Sequence, residues 1–149
     1  MVKVVAQRVR SAAVSVEDNL IGSIGRGLAI LVGIGEGDEE AAVERVADKL
    51  AVMRIFEDQH GKMNLSTADI GGSMLVVSQF TLYADTSRGR RPSFIRAASP
   101  ELGERLYQHF IARLRSHGYD VAHGQFAAHM IVALENDGPV TIILDSEAM

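Results

Sequence analysis

The run LAILVGI, residues 28–34, is continuously apolar and is bounded by glycines. A run of this length and composition is typical of a strand that is buried on both faces of a sheet. Upstream of it, alternating β-branched residues predict strands over 2–9 and 12–16, and a turn at 17–19 leads into a third short strand, 20–24. The chain is therefore expected to open with a small antiparallel sheet.

Two amphipathic helices are predicted downstream of this sheet. Asp38 can cap the first, which carries apolar residues at helical spacing over 43–53 with charged residues between them. The second begins at 99–101, where a serine N-cap, a proline and an acid follow one another, and it ends before Gly118. Both signals are typical of helices that pack one face on a sheet.

Three further strands complete the predicted fold. One covers 73–83, and two closing strands, 130–134 and 140–144, are joined by a turn at 136–139. We predict a single domain over 1–149, with a short C-terminal tail at 145–149. Its fold class is α/β, with two main helices packed on a mixed, mostly antiparallel or barrel-like sheet.

The composition excludes several functional classes. The 149 residues are 47% hydrophobic and 23% charged, with no cysteine, so a disulfide scaffold, a thiolate metal centre and a cysteine nucleophile are ruled out. No apolar run approaches the roughly 20 residues of a membrane-spanning helix, and the N-terminus lacks the pattern of a secretion signal. We therefore expect a cytoplasmic protein without a membrane partner. The net charge of −4 argues at first against a nucleic-acid partner.

Common cofactor and catalytic motifs are absent or incomplete. The glycines of 33–37 lie between a strand and a helix, but their spacing is wrong for a dinucleotide and the acids of 36–40 would repel phosphate. The five histidines show no metal-ligand spacing on one helix, and Ser78 lacks the preceding glycine of a nucleophile elbow. The sequence thus predicts no cofactor, no metal and no hydrolase triad.

Two polar segments are unusual for their positions. In the strand over 73–83 the apolar pattern turns polar at Ser78, Gln79 and Thr81, which is costly in a sheet interior unless partners are present. In the second segment, Gly138-Pro139 stands at a strand entrance, where proline removes a ladder donor and permits a cis bond. Taken singly, these segments also fit an edge strand with a wet face and an ordinary hairpin turn.

A third segment is unusual in its charge. Residues 86–100 carry four arginines, Arg88, Arg90, Arg91 and Arg96, and no acid. The segment is therefore +4 and the remainder of the chain is −4 − 4 = −8. Arginines beside glycine, proline and an aromatic residue favour a phosphate-binding loop, although a solvated charged loop is equally compatible.

Four motifs in a fixed order resemble the D-aminoacyl-tRNA deacylase family: QRV (7–9), SQFTL (78–82), RPSF (91–94) and NDGPVT (136–141). The resemblance runs from the first strand to about Leu144 and includes RIF (54–56) and GKMNL (61–65). It implies a homodimer with active sites at the subunit interface. It further implies hydrolysis of the ester between a D-amino acid, or glycine, and the terminal adenosine of tRNA, with no DNA partner.

The resemblance also assigns roles to individual residues. The catalytic segment matches Ser78, Gln79, Phe80 and Thr81. Gly138 and Pro139 match a cis Gly-Pro motif that reaches the other subunit's site and excludes L-amino acids, and Arg8 matches an arginine that holds this motif. Thr81 matches a threonine once considered a nucleophile. A mechanism in which the 2′-hydroxyl of the tRNA assists the attacking water is the stronger account, because an aminoacyl ester is already activated.

Two other functions stay open at this stage. The arginine segment and the missing triad also fit a non-catalytic RNA-binding or amino-acid-sensing module. An acyl transferase that acts on another nucleotide substrate is a weaker third possibility.

Overall fold

The computed structural model describes all 149 residues. The strands are β1 (Lys3–Val16), β2 (Asn19–Ile24), β3 (Gly27–Gly33), β4 (Phe56–Glu57), β5 (Met63–Leu65), β6 (Ser73–Ser78), β7 (Val121–His123) and β8 (Ile131–Asp145). The helices are α1 (Glu40–Val52) and α2 (Pro100–Ser116), and a short 3-10 helix covers Phe80–Tyr83. Neither α-helix has the length and apolar character that crossing a membrane requires.

Strand β1 organises the main sheet. Its first half pairs with β3 and its second half with β2, and along its other edge it pairs with β8, all antiparallel. Strands β3, β6 and β7 continue the sheet in parallel. Because β2 also approaches β7, the sheet curls into a nearly closed barrel. The predicted fold class, a mixed α/β fold with two helices on a barrel-like sheet, is confirmed.

The larger core lies between the sheet and the two helices. Val43, Val46 and Leu50 of α1 and Leu106 and Phe110 of α2 are fully buried, as their helical spacing predicts. The predicted N-terminus of α2 is confirmed, since the Ser99 hydroxyl accepts a hydrogen bond from the Leu102 N–H.

Three evenly spaced pairs of polar side chains, two acid–arginine and one acid–histidine, join α1 to α2 along their exposed sides. The pairs are Glu40–Arg105 at 3.2 Å, Glu44–His109 at 2.9 Å and Asp48–Arg113 at 2.8 Å. Each helix advances four residues from one pair to the next, so the helices run parallel. Hydrogen bonds to Asp48 from Arg113 and, second, from His117 hold the pKa of Asp48 well below its ordinary value.

Several predicted elements are wrong in detail. The strands predicted at 2–9 and 12–16 form the single strand β1, and the two closing strands form the single strand β8. Asp38 does not cap α1, which begins at Glu40, because its carboxylate accepts a hydrogen bond from the Gly35 N–H at 2.6 Å. The helix cap is Glu39, whose side chain makes no capping bond.

Candidate active site

The polar segment after β6 leaves the sheet. The predicted strand 73–83 is wrong beyond Ser78, because Gln79 ends the pairing and Phe80 begins the 3-10 helix. The Gln79 N–H still donates to the Val32 carbonyl at 2.8 Å, which anchors the segment to β3. The polar side chains therefore avoid the cost of burial in a sheet interior, since they stand at its end.

A cavity of about 570 Å³ opens beside this segment. Three aromatic rings line it, those of Phe80, Phe94 and Phe126, and the rings of Phe80 and Phe94 meet edge to face with centroids 5.2 Å apart. Ser78 and Gln79 supply polar groups, and His129 is the one ionisable side chain in the lining. The cavity is thus mostly apolar with a few polar groups in its lining, which is typical of a small-molecule site.

The 3-10 helix presents its N-terminus beside the cavity. In such a helix the first N–H groups, here those of Phe80 and Thr81, have no partner within the helix. The Thr81 hydroxyl accepts a hydrogen bond from the Gln79 side-chain amide at 2.5 Å, which leaves its own proton available for donation. These groups can stabilise negative charge on an oxygen, which is what attack on an ester carbonyl requires.

A bulge in β8 carries the Gly-Pro step. Gln7 pairs with Thr141 and Val9 pairs with Asn136, so the four residues 137–140 stand opposite one residue of β1. The predicted hairpin turn at 136–139 is therefore wrong, because the chain bulges there within one strand. The Gly138–Pro139 peptide bond is cis, and Gly138 has a φ of +143°, which favours glycine.

Arg8 is the residue of β1 that faces this bulge. It is only 6% exposed. Its Nε donates to the Asp137 carbonyl at 2.8 Å, and its Nη1 donates to the Ile55 carbonyl at 2.8 Å. The planar guanidinium therefore bridges the bulge and the chain just before β4, with the Glu57 carboxylate 4.0 Å away.

The residues singled out from the sequence fall into separate groups. Ser78, Gln79 and Phe80 line the cavity, and Thr81 adjoins them without lining it. The second group, Arg8, Gly138 and Pro139, lies at the β8 bulge and does not line the cavity of the same chain.

The four arginines of 86–100 are all exposed. Arg88, Arg90 and Arg91 lie in a loop whose base is closed by backbone hydrogen bonds between Asp85 and Ser93. Arg96 follows the loop, two residues after Phe94, which lines the cavity. The sequence did not indicate Phe126 or His129 as site residues, because both lie in an irregular segment without periodicity. No group of three or more His, Asp or Glu side chains is arranged to hold a metal ion.

The solved structures that this fold resembles define its class. One, titled "c-Myc DNA Unwinding Element Binding Protein", has a TM-score of 0.89 and 39% identity over 96% of this chain and 97% of that one. Another, titled "Structural Analysis of a probable eukaryotic D-amino acid tRNA deacylase", has a TM-score of 0.85 at 18% identity, covering 96% of this chain and 98% of that one. Both likenesses show the fold class, a mixed α/β fold with two helices on a barrel-like sheet.

Sequence comparison identifies the family. A family model described as D-Tyr-tRNA(Tyr) deacylase matches residues 5–145. Proteins named D-aminoacyl-tRNA deacylase are similar to this chain over nearly the full length. The protein of Roseiflexus sp. (strain RS-1) is 57% identical over 97% of this chain and 93% of its own length. The protein of Clostridioides difficile (strain 630) is 54% identical over 97% of both chains. The chain belongs to the D-Tyr-tRNA(Tyr) deacylase family, an enzyme family of hydrolases, which confirms the resemblance found in its motifs.

Proposed function

We propose that this chain hydrolyses the ester bond between a D-amino acid, or glycine mischarged on tRNA(Ala), and the terminal adenosine of tRNA, and thereby releases the free amino acid. The observation that carries the proposal is the family match over residues 5–145 combined with a cavity at the end of β6, which Ser78, Gln79 and Phe80 of the SQFTL segment line. Every step below depends on residues of this motif or of the β8 bulge.

The cavity suits the terminal adenosine. Its three phenylalanine rings offer flat apolar faces and edges, and stacking on aromatic side chains is the usual way in which proteins hold an unpaired base. With the base there, the ester would lie near Ser78, Gln79 and the N-terminus of the 3-10 helix. The arginines of 86–100 are then well placed to meet the phosphates of the acceptor stem.

The chemistry proposed is attack of water on the ester carbonyl, assisted by the tRNA 2′-hydroxyl. The N–H groups of Phe80 and Thr81 stabilise the negative charge that develops on the carbonyl oxygen. The proton lost by water returns to the 3′-oxygen of the departing adenosine, so amino acid and tRNA are released. An activated ester needs positioning more than a strong base, and His129 is the only ionisable side chain in the cavity lining.

Selection against L-amino acids is assigned to Gly138 and Pro139, acting in the other subunit's site. In support, Gly138 and Pro139 do not line the cavity of their own chain, so they can act only at the cavity of a partner subunit. A homodimer is supported by exposed apolar side chains: Ile143 is 75% exposed and Ile131 62%, both on β8, a long strand paired on one edge only. We further propose that the enzyme works in the cytoplasm, where charged tRNA is used.

The direct test is hydrolysis of D-Tyr-tRNA, with L-Tyr-tRNA as the control substrate. We expect release of D-tyrosine and little release of L-tyrosine, and glycyl-tRNA(Ala) should also be cleaved. Equal rates on the D- and L-esters would contradict chiral selection. Binding of tRNA without turnover, lost steeply with added salt, would favour a non-catalytic RNA-binding module instead.

The role of Thr81 is tested by Thr81→Ala. We expect the variant to keep activity within about tenfold of the parent, the worth of one hydrogen bond near the reacting atoms. An inactive, folded variant that still binds tRNA would instead identify the threonine as a nucleophile.

The cross-subunit arrangement is tested with a mixed dimer of two variants, one altered at Gln79 and one carrying at Gly138 a bulky side chain that blocks the site it enters, each first shown to be inactive on D-Tyr-tRNA as a homodimer. If each site combines Gln79 of one chain with Gly138 of the other, the mixed dimer contains one site free of both changes and regains activity. If each site lies within one chain, both sites are damaged and no activity returns.

One solved relative is titled as a DNA-element-binding protein, and the exposed arginines make DNA the natural competitor to include. Duplex DNA should not inhibit deacylation at concentrations where uncharged tRNA does.

A further inference from the structure

The β8 bulge is held on both of its flanks. On the N-terminal flank Arg8 binds the Asp137 carbonyl. On the C-terminal flank the side chain of Asn136 makes three hydrogen bonds: its Oδ1 accepts from the Val140 N–H at 2.7 Å, and its Nδ2 donates to the Val140 carbonyl and to the Thr141 hydroxyl, each at 3.3 Å.

These bonds replace a missing strand partner. The regular pairing of β1 with β8 skips from Thr141 to Asn136, so the backbone groups of Val140 have no partner residue on β1. Like a peptide unit, a carboxamide carries both an acceptor and an N–H donor, so it can satisfy the N–H and the C=O of one residue together, and its second N–H remains for the Thr141 hydroxyl. Ionised aspartate at 136 can only accept, and alanine can do neither.

The segment between the flanks has little else to hold it. Pro139 has no N–H, and Gly138 has no side chain. The space around Gly138 is closed, since a Cβ there would lie 2.7 Å from a Val140 methyl and 3.2 Å from Arg8 Nη2. A shift of Val140 would therefore shift the two residues to which chiral selection is assigned.

We propose that Asn136 is a positioning residue that fixes Gly138 and Pro139 in the orientation that discriminates D- from L-aminoacyl esters. This inference rests on the proposed function. The Thr141 hydroxyl supports the same clamp, because it accepts from Asn136 Nδ2 and from Gln7 Nε2, the latter at 3.2 Å.

The test compares Asn136→Ala, Asn136→Asp and Thr141→Val with the parent enzyme. Asn136→Asp keeps the acceptor for the Val140 N–H and loses both donated bonds, and Thr141→Val removes one acceptor of the clamp. Asn19→Ala is the matched control, since Asn19 is exposed at the start of β2 and makes no side-chain hydrogen bond. The readout is the ratio of kcat/KM for D-Tyr-tRNA to that for L-Tyr-tRNA.

We expect the D/L ratio to fall about tenfold in Asn136→Ala, the worth of one to two net hydrogen bonds, and by a smaller factor in Asn136→Asp and Thr141→Val. The ratio should be unchanged in Asn19→Ala. General loss of structure would lower both rates together and leave the ratio alone, so a fall in the ratio identifies positioning.

A parental ratio in folded Asn136→Ala would overturn the inference while leaving the proposed function intact. Should that variant not fold, a parental ratio in both Asn136→Asp and Thr141→Val would overturn it equally. A parent enzyme that does not distinguish the two esters would contradict the proposed function itself, and the inference with it.

Discussion

Replacing Arg8 with methionine should destabilise the protein by about 3 kcal/mol. Two hydrogen bonds from the charged guanidinium, to the Asp137 and Ile55 carbonyls at 2.8 Å, are lost. Bonds to charged groups contribute roughly 1.5–3 kcal/mol each, and a buried methionine recovers part of the sum through apolar contact. The Glu57 carboxylate, 4.0 Å away and well exposed, adds little.

The measurement is urea unfolding followed by far-UV circular dichroism, because the chain contains no tryptophan. Protein concentration is held fixed, since dimerisation would make the apparent stability depend on it. Arg10→Met is the matched control: Arg10 lies two residues further along β1 and is exposed. Arg8→Lys should recover less than half of the loss, because a single ammonium cannot bind both carbonyls with fork geometry.

A free energy of unfolding for Arg8→Met within about 0.5 kcal/mol of that for Arg10→Met would refute this reasoning, because surface substitutions fall within that range. It would mean that the two carbonyls find other partners or water. A large loss of stability together with an unchanged D/L ratio would separate the two roles of Arg8, keeping the structural one and removing the one in selection.

Asp48→Asn should lower stability by about 1 kcal/mol at neutral pH, a modest loss because the pair is solvent-exposed. The pKa of Asp48 is lowered in the folded state, so its stabilising contribution is present above about pH 4 and is lost as the pH falls below that value. The stabilities of parent and variant should therefore converge in acid denaturation curves. Ala127→Gly should stabilise by up to about 1 kcal/mol in thermal unfolding, because Ala127 has a φ of +64°, whereas Ala128→Gly should not. Tyr107→Phe should cost about 1 kcal/mol in urea unfolding, because the buried hydroxyl donates to a β6 carbonyl at 3.0 Å. The difference between the absorbance titrations of parent and variant should show the pKa of Tyr107 raised to about 12 by burial.

The sequence predicted the fold where one local pattern is sufficient. The apolar run at 28–34 forms β3, and the serine-proline-acid start of α2 begins that helix. It failed where the outcome depends on a distant partner. Gly-Pro at 138–139 favours a turn by local chemistry, but β1 pairs on both sides of it and keeps the chain in one strand.

The candidate site divides in the same way. Ser78 and Gln79 were indicated because polar residues interrupt an apolar pattern, although the strand was extended too far. The aromatic wall from Phe126 was not predictable, because the segment 124–130 has no periodicity and reaches the cavity only through tertiary packing. The three bonds of Asn136 were equally hidden, since they depend on a bulge whose existence requires knowing the register of β1 and β8.

The net charge of −4 does not describe the local charge at the arginine loop. Two acids of α1, Glu40 and Asp48, form ion pairs with arginines of α2, so part of the negative charge is locally balanced. The arginines of 86–100 form no ion pair within 4.0 Å and are exposed beside the cavity. An anionic partner therefore meets a positive surface at this loop although the whole chain carries −4. A small unpaired cluster on an acidic protein favours contact with a few phosphates and ready release, which suits an enzyme that acts on the end of a tRNA and then dissociates.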